Sequence, residues 1–431
     1  ESNYSITKHE GKLSITEVNA EVTVTIKGKK DTVTYDGNPH SVEGYVITDI
    51  SNKLYTKDDV KFTGEAKAEG TEAGTYSMGL NADQFTNTND NYTQVTFIVN
   101  DGTLTINPKS ITPDGPDTPK EEKTGITVTD PENSIYDGNE HINGLTVTDS
   151  KLNTTLVEGT DYTLTYSGDL INVGTVTITI KGIGNYTGEF TKTYQILPRE
   201  YTVTTESAKK VYDGTALTAG GKIEGIVSGE TVEFTTTGSQ TEVGTSKNTY
   251  ELVWKSAKAT NYTLAKESIG KLTVKAKSIV PDDKNTPESD KTGITVSEPS
   301  DSKYDGKEHK EVLTVTDTKT GKELVAGTDY SVTYSSDLVN AGTVKVTVAG
   351  LGNYTGSFTK TYKITKRSVT LTSATVSKVY DGSALTNTSI TVSGDGFVEG
   401  EGATYSVTGT QTEVGNSANA FEYKLNENTL A

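Results

Sequence analysis

In residues 160–166 (TDYTLTY), Tyr162, Leu164 and Tyr166 fall on one side of an extended chain and the threonines on the other. A period of two predicts a strand with one buried face. Residues 175–180 (TVTITI) alternate in the same way and predict a second such strand. Turn chemistry separates these stretches: Ser167-Gly168-Asp169, Gly182-Ile183-Gly184-Asn185, Ser335-Ser336-Asp337 and Gly350-Leu351-Gly352-Asn353. No stretch of ten or more residues keeps a helical period, so the chain reads as all-β.

The pattern recurs. Tyr-Asp-Gly occurs at Tyr35-Asp36-Gly37, Tyr136-Asp137-Gly138, Tyr212-Asp213-Gly214, Tyr304-Asp305-Gly306 and Tyr380-Asp381-Gly382. A small-residue turn follows each one: Ala73-Gly74-Thr75, Val173-Gly174-Thr175, Val243-Gly244-Thr245, Ala341-Gly342-Thr343 and Val414-Gly415-Asn416. Five cores with one strand plan are implied. Two repeat types alternate, and equivalent points of the paired units lie 304 − 136 = 380 − 212 = 168 residues apart. The expected divisions are a stray last strand (1–19), a divergent type B repeat (20–108), a linker (109–122), type A (123–198), type B (199–276), a linker (277–290), type A (291–366) and a type B repeat without its last strand (367–431). About seven short strands per repeat predict an immunoglobulin-like sandwich, five of them in an elongated tandem array. The two linkers, rich in proline and aspartate, read as extended spacers.

Residues 11–15 (GKLSI) resemble residues 270–274 (GKLTV), which close a type B repeat, and the last repeat has no such segment. End-to-end strand exchange between copies is therefore an expected partner mode.

Composition narrows the chemistry. Only 32% of the 431 residues are hydrophobic, which suits several small cores better than one large one. Glycine (42) supplies turns and tyrosine (23) supplies strand faces. With no cysteine, disulfide frameworks, thiolate metal sites and thiol nucleophiles are excluded. A net charge of −18 without a basic stripe opposes nucleic-acid binding. No apolar run is long enough for a membrane-spanning helix, so membrane insertion is not expected.

Tyr-Asp-Gly reads as a structural turn: glycine for a left-handed backbone, aspartate for nearby amides, tyrosine as an anchor to the core. His40, His141 and His309 each follow a Tyr-Asp-Gly tyrosine by five residues, where the type B repeats have Leu217 and Leu385. A position that takes histidine or leucine is read as packing, and one histidine per repeat is too few for zinc. Acidic residues in the linkers, Asp114 and Asp282 among them, are weaker candidates for calcium. Asn-Tyr-Thr at 91–93, 185–187, 261–263 and 353–355 matches a glycosylation acceptor, but its recurrence in register favours a turn whose tyrosine packs as a strand begins. Lys123 with Asn185, and Lys291 with Asn353, are candidate pairs for intramolecular isopeptide bonds. No nucleophile elbow or phosphate-binding loop occurs, so no catalytic, metal or cofactor site is assigned and no enzyme activity is expected.

The Tyr-Asp-Gly openings, together with Gly159-Thr160-Asp161-Tyr162, Asn172-Val173-Gly174-Thr175 and residues 182–188 (GIGNYTG), resemble bacterial immunoglobulin-like surface repeats of the MBG and YDG types. That resemblance implies tandem sandwiches at a bacterial cell surface, in a stalk or adhesin that presents host-binding function. The alternative is a specific binding module for a host protein such as immunoglobulin or mucin, or for a glycan, seated in residues 20–108.

Overall fold

A computed structural model of the chain describes residues 3–335 and 337–430; Ser336 of the expected 335–337 turn lies outside the described residues. The described residues contain no α-helix, only strands and the short 3-10 turns Lys57–Asp59, Ala82–Gln84 and Ala259–Asn261. The fold is an all-β tandem array of immunoglobulin-like sandwiches. It divides into two compact units, one comprising Glu1–Tyr201, Gly225–Val232 and Trp254–Ala265, the other Thr202–Glu224, Glu233–Val253 and Lys266–Ala431.

In the first unit, residues 20–108 form two principal sheets. Val22–Gly28 lies between Tyr45–Ile50 and Val95–Asn100, and Thr103–Asn107 lies between Lys30–Thr34 and Gly74–Ser77. Alternation decides the packing: Val22, Val24 and Ile26 from one sheet and Leu104 and Ile106 from the other are buried in a shared core. Residues 3–17 form no strand, and Leu13 and Ile15 are both 99% exposed.

The type A repeat of this unit has a four-stranded sheet in the order Ser134–Ile135, Glu189–Leu197, Gly174–Gly182, Tyr162–Ser167. The register pairs Leu164 with Ile180 and Tyr166 with Ile178. Val176, Ile178 and Ile180 are fully buried while the intervening threonines are not.

Residues 109–122 differ from the expected spacer. Lys109–Ser110 is a strand, parallel to Tyr186–Thr187, and Ile111 is fully buried in the type A core. Downstream, the Asp114 carboxylate accepts from the amides of Thr124 (2.6 Å) and Gly125 (2.8 Å) and from the Thr124 hydroxyl (2.9 Å). Burial raises the cost of that charge, but these donors outweigh it and hold the carboxyl below its ordinary range. Two residues are too short a strand to show a period.

The second unit repeats this plan. Lys277–Ser278 pairs with Tyr354–Thr355, Ile279 is fully buried, and Asp282 holds Thr292 and Gly293 as Asp114 holds Thr124 and Gly125. In the type B repeat before it, Lys271–Lys275 fills the space between Ala208–Val211 and Gly244–Lys247. The corresponding place in residues 367–430 is an open groove of about 550 Å³, lined by Val376, Tyr380, Leu385, Val414 and Asn419 among others.

Candidate functional site: the junction between repeats

The five Tyr-Asp-Gly motifs fold alike. Each aspartate accepts from the amide two residues on, at 2.9 Å in every case: Asp36 from Asn38, Asp137 from Asn139, Asp213 from Thr215, Asp305 from Lys307 and Asp381 from Ser383. The glycines sit at φ between 74° and 84°, a left-handed conformation open to glycine and strained for other residues.

A side-chain nitrogen lies against the aspartate of each turn. In three repeats it is the histidine: Nε2 of His40, His141 and His309 lies 2.8, 3.2 and 2.9 Å from Asp36, Asp137 and Asp305. The type B repeats at 199–276 and 367–431 put leucine there and supply a lysine from the other side, with Lys210 at 2.6 Å from Asp213 and Lys378 at 2.9 Å from Asp381. The histidine position is thus more than packing. The amide of Asn38 first, then His40, bring the Asp36 carboxyl down to about 2. Lys210 first, then the Thr215 amide, do the same for Asp213, also to about 2.

The tyrosine and glycine of the motif face the following repeat. In the first unit, Tyr35 meets Tyr186 edge to face at 5.8 Å between ring centroids, and Tyr136 meets Tyr262 at 5.6 Å. In the second unit, Tyr212 meets Tyr354 at 5.8 Å. Each partner is the tyrosine of an Asn-Tyr-Thr segment. A Cβ on Gly37 would lie 3.1 Å from Leu152, on Gly138 3.2 Å from Val227, on Gly214 3.5 Å from Thr320, and on Gly306 3.1 Å from Val398. Carboxylates complete two of the contacts: the hydroxyls of Tyr136 and Tyr262 both donate to Glu230, and that of Tyr304 donates to Glu401. Tyr380 is 58% exposed, and no atom lies within 4 Å of a Cβ on Gly382.

The asparagine of Asn-Tyr-Thr is a clasp that the sequence reading missed. Its Oδ1 accepts the amide of the residue opening the preceding repeat's small-residue turn: Asn185 from Ala73 (2.8 Å), Asn261 from Val173 (3.0 Å) and Asn353 from Val243 (2.9 Å). Its Nδ2 donates to the residue before that, Glu72, Asn172 and Glu242 respectively.

These contacts lie in segments with recognisable relatives. Residues 22–108 match the MBG domain family and residues 197–269 the YDG domain family. The chain carries an MBG domain and a YDG domain. Neither is a catalytic family. Among curated proteins nothing matches. Solved structures similar to the chain include immunoglobulin domains 1–5 of Sidekick-1, at 10% identity, 78% of each chain and a TM-score of 0.25. The I9–I11 tandem of titin is similar at 9% identity over 56% of this chain and 98% of its own, TM-score 0.18. Protocadherin gammaB7 domains EC3–6 are similar at 10% identity over 66% and 87%, TM-score 0.19.

Around the MBG and YDG domains, other sequence candidates are used differently from the expectation. Asn185 and Asn353 are engaged in the clasps, and Lys291 pairs with Glu288 at 2.6 Å. Asp114 and Asp282 are occupied by backbone amides, and among the described residues no group of three or more histidines and carboxylates is placed to hold a metal.

Proposed function

We propose that this chain is a non-enzymatic, load-bearing segment of a bacterial cell-surface adhesin or stalk, in which each repeat is seated on the next so that a host-binding function is presented outside the cell. The observation that carries the reading is the recurrence of one clasp at three junctions: tyrosine on tyrosine, and asparagine on a backbone amide of the preceding repeat. A chain selected for a single binding site has no need to repeat its joints with the same residues. The MBG and YDG families are surface-associated repeat modules, which supports the extracellular setting. No helix among the described residues is long and apolar enough to cross a membrane.

The test is a binding panel of mucins, immunoglobulins and glycans, run on the whole chain and on a version lacking residues 20–108. The stalk reading expects no saturable binding by either. Binding lost with residues 20–108 would replace it with a dedicated MBG-seated module for that ligand.

A further inference from the structure

Lys109 and Asp149 are both buried, 6% and 0% exposed, with Nζ 2.5 Å from Oδ2. The second type A repeat matches: Lys277 and Asp317 are 4% and 0% exposed, with Nζ 2.6 Å from each carboxylate oxygen. Among the described residues, neither ammonium has a hydrogen-bond partner other than that aspartate. A charged lysine has three donors, and burying it with one carboxylate is costly. Condensing the pair to an amide removes both charges and most of the unmet donors.

The carboxyl group is arranged for that reaction. Oδ1 of Asp149 accepts from the amides of Lys151 (3.0 Å) and Leu152 (3.2 Å), while Oδ2 accepts from the Tyr186 hydroxyl (3.2 Å). In the other copy Oδ1 of Asp317 accepts from Lys319 (3.1 Å) and Thr320 (3.3 Å), and Oδ2 from Tyr354 (3.1 Å). Two amides on one oxygen stabilise the charge of a tetrahedral adduct, and a hydroxyl on the other is placed to protonate the oxygen that leaves. Burial, then the charge of Asp149, push the Tyr186 phenol up, and burial and Asp317 do so for Tyr354, so both keep the proton they would lend. The nucleophile is already in contact, which supplies the proximity that free amine and acid lack.

We propose that Lys109 and Asp149, and likewise Lys277 and Asp317, are joined by side-chain amide bonds that the folded repeat forms by itself. The ammonium passes one proton to Oδ2, and the freed nitrogen lone pair forms the N–Cγ bond. The Cγ–Oδ2 bond then breaks. Oδ2 departs as water with a second proton from nitrogen, relayed through the tyrosine hydroxyl, which ends as it began. One water is lost per bond, with no oxidation or reduction. The bond ties the entering strand directly to Asp149, so tension arriving at Lys109 bypasses the chain between them.

Intact mass spectrometry of the denatured full chain tests this without any variant. The expected mass is below the sequence mass by two waters, and a tryptic digest contains a peptide with Lys109 joined to one with Asp149, and a second such pair for Lys277 and Asp317. Lys109→Arg restores one water and abolishes the first branched peptide only. A mass equal to the sequence mass overturns the proposal. So does a water deficit that maps to succinimides at the Asp-Gly turns, with no branched peptide.

Discussion

Tyr136 of one repeat and Tyr262 of the next meet edge to face, their ring planes at 79°, and their hydroxyls converge on Glu230. Both rings are buried, at 3% and 7% exposure, in the same hydrophobic cluster. The core of the type A repeat is therefore completed by residues of the YDG domain, and removing the shared acceptor should be felt on both sides.

Glu230→Ala leaves two buried hydroxyls without this acceptor, at about 1–3 kcal/mol for each unsatisfied group. Glu230→Gln keeps an acceptor and should cost less. Urea denaturation of the full chain, followed by tryptophan fluorescence from Trp254 in the same cluster, gives the order wild type, Gln, Ala in falling stability. Equal midpoints for all three would show that the carboxylate does not bind the joint together.

The clasps permit a comparison with its own control. Asn185→Asp and Asn353→Asp retain the accepting oxygen but set a negative charge against Glu72 and Glu242, whereas Asn261→Asp faces the neutral Asn172. Like-charge repulsion of about 1 kcal/mol is expected for the first two at pH 7, and salt screens it. Thermal melting at pH 7 in low and high salt should separate them from Asn261→Asp, whose neutral partner gives it little salt-dependent penalty.

The strands were legible because alternation is local: residues 160–166 carry Tyr162, Leu164 and Tyr166 on one face wherever the repeat sits. The Asp-Gly turn was legible for the same reason. What the tyrosine of the motif touches was not, since Tyr136 packs against Tyr262 and nothing in the spacing of either repeat declares that partner. Likewise Lys109 and Lys277 stood in segments read by composition as spacers. The available signal was the shared Lys-Ser-Ile at 109–111 and 277–279, matched by the shared Val-Thr-Asp at 147–149 and 315–317. The lysines that replace histidine were also visible, in Lys-Val-Tyr-Asp-Gly at 210–214 and 378–382.

Substituting the turn glycines separates backbone strain from junction contact. Gly382→Ala meets only the left-handed backbone, φ 77° with no neighbour within 4 Å, and should cost roughly 1–2 kcal/mol. Gly138→Ala adds a Cβ 3.2 Å from Val227 to a similar φ of 84° and should cost more. Chemical denaturation of the two variants checks the order; equal losses would mean that Gly138 serves the turn alone.

Acid should loosen the turns together. The Asp36 and Asp213 carboxyls lie at about 2 in the folded chain, below the unfolded value near 4. The unfolded state therefore binds protons first as pH falls, so the stability these groups contribute is present above about pH 4 and is lost between there and about pH 2. Both side chains are about half exposed, so each effect is small. Asp213→Asn should flatten the pH dependence of stability in that window and leave the region above pH 5 sloped as in the wild type, as read by urea midpoints across pH 2–6.

The coupling energy between Tyr136 and Tyr262 tests the seating of one repeat on the next most directly. It is obtained from a double-mutant cycle of Tyr136→Ala, Tyr262→Ala and the pair in the full chain. An edge-to-face pair predicts a coupling of about 0.5–1.5 kcal/mol, with the double variant losing less than the sum of the single ones. Strict additivity, with zero coupling, would contradict a joint held by these two rings.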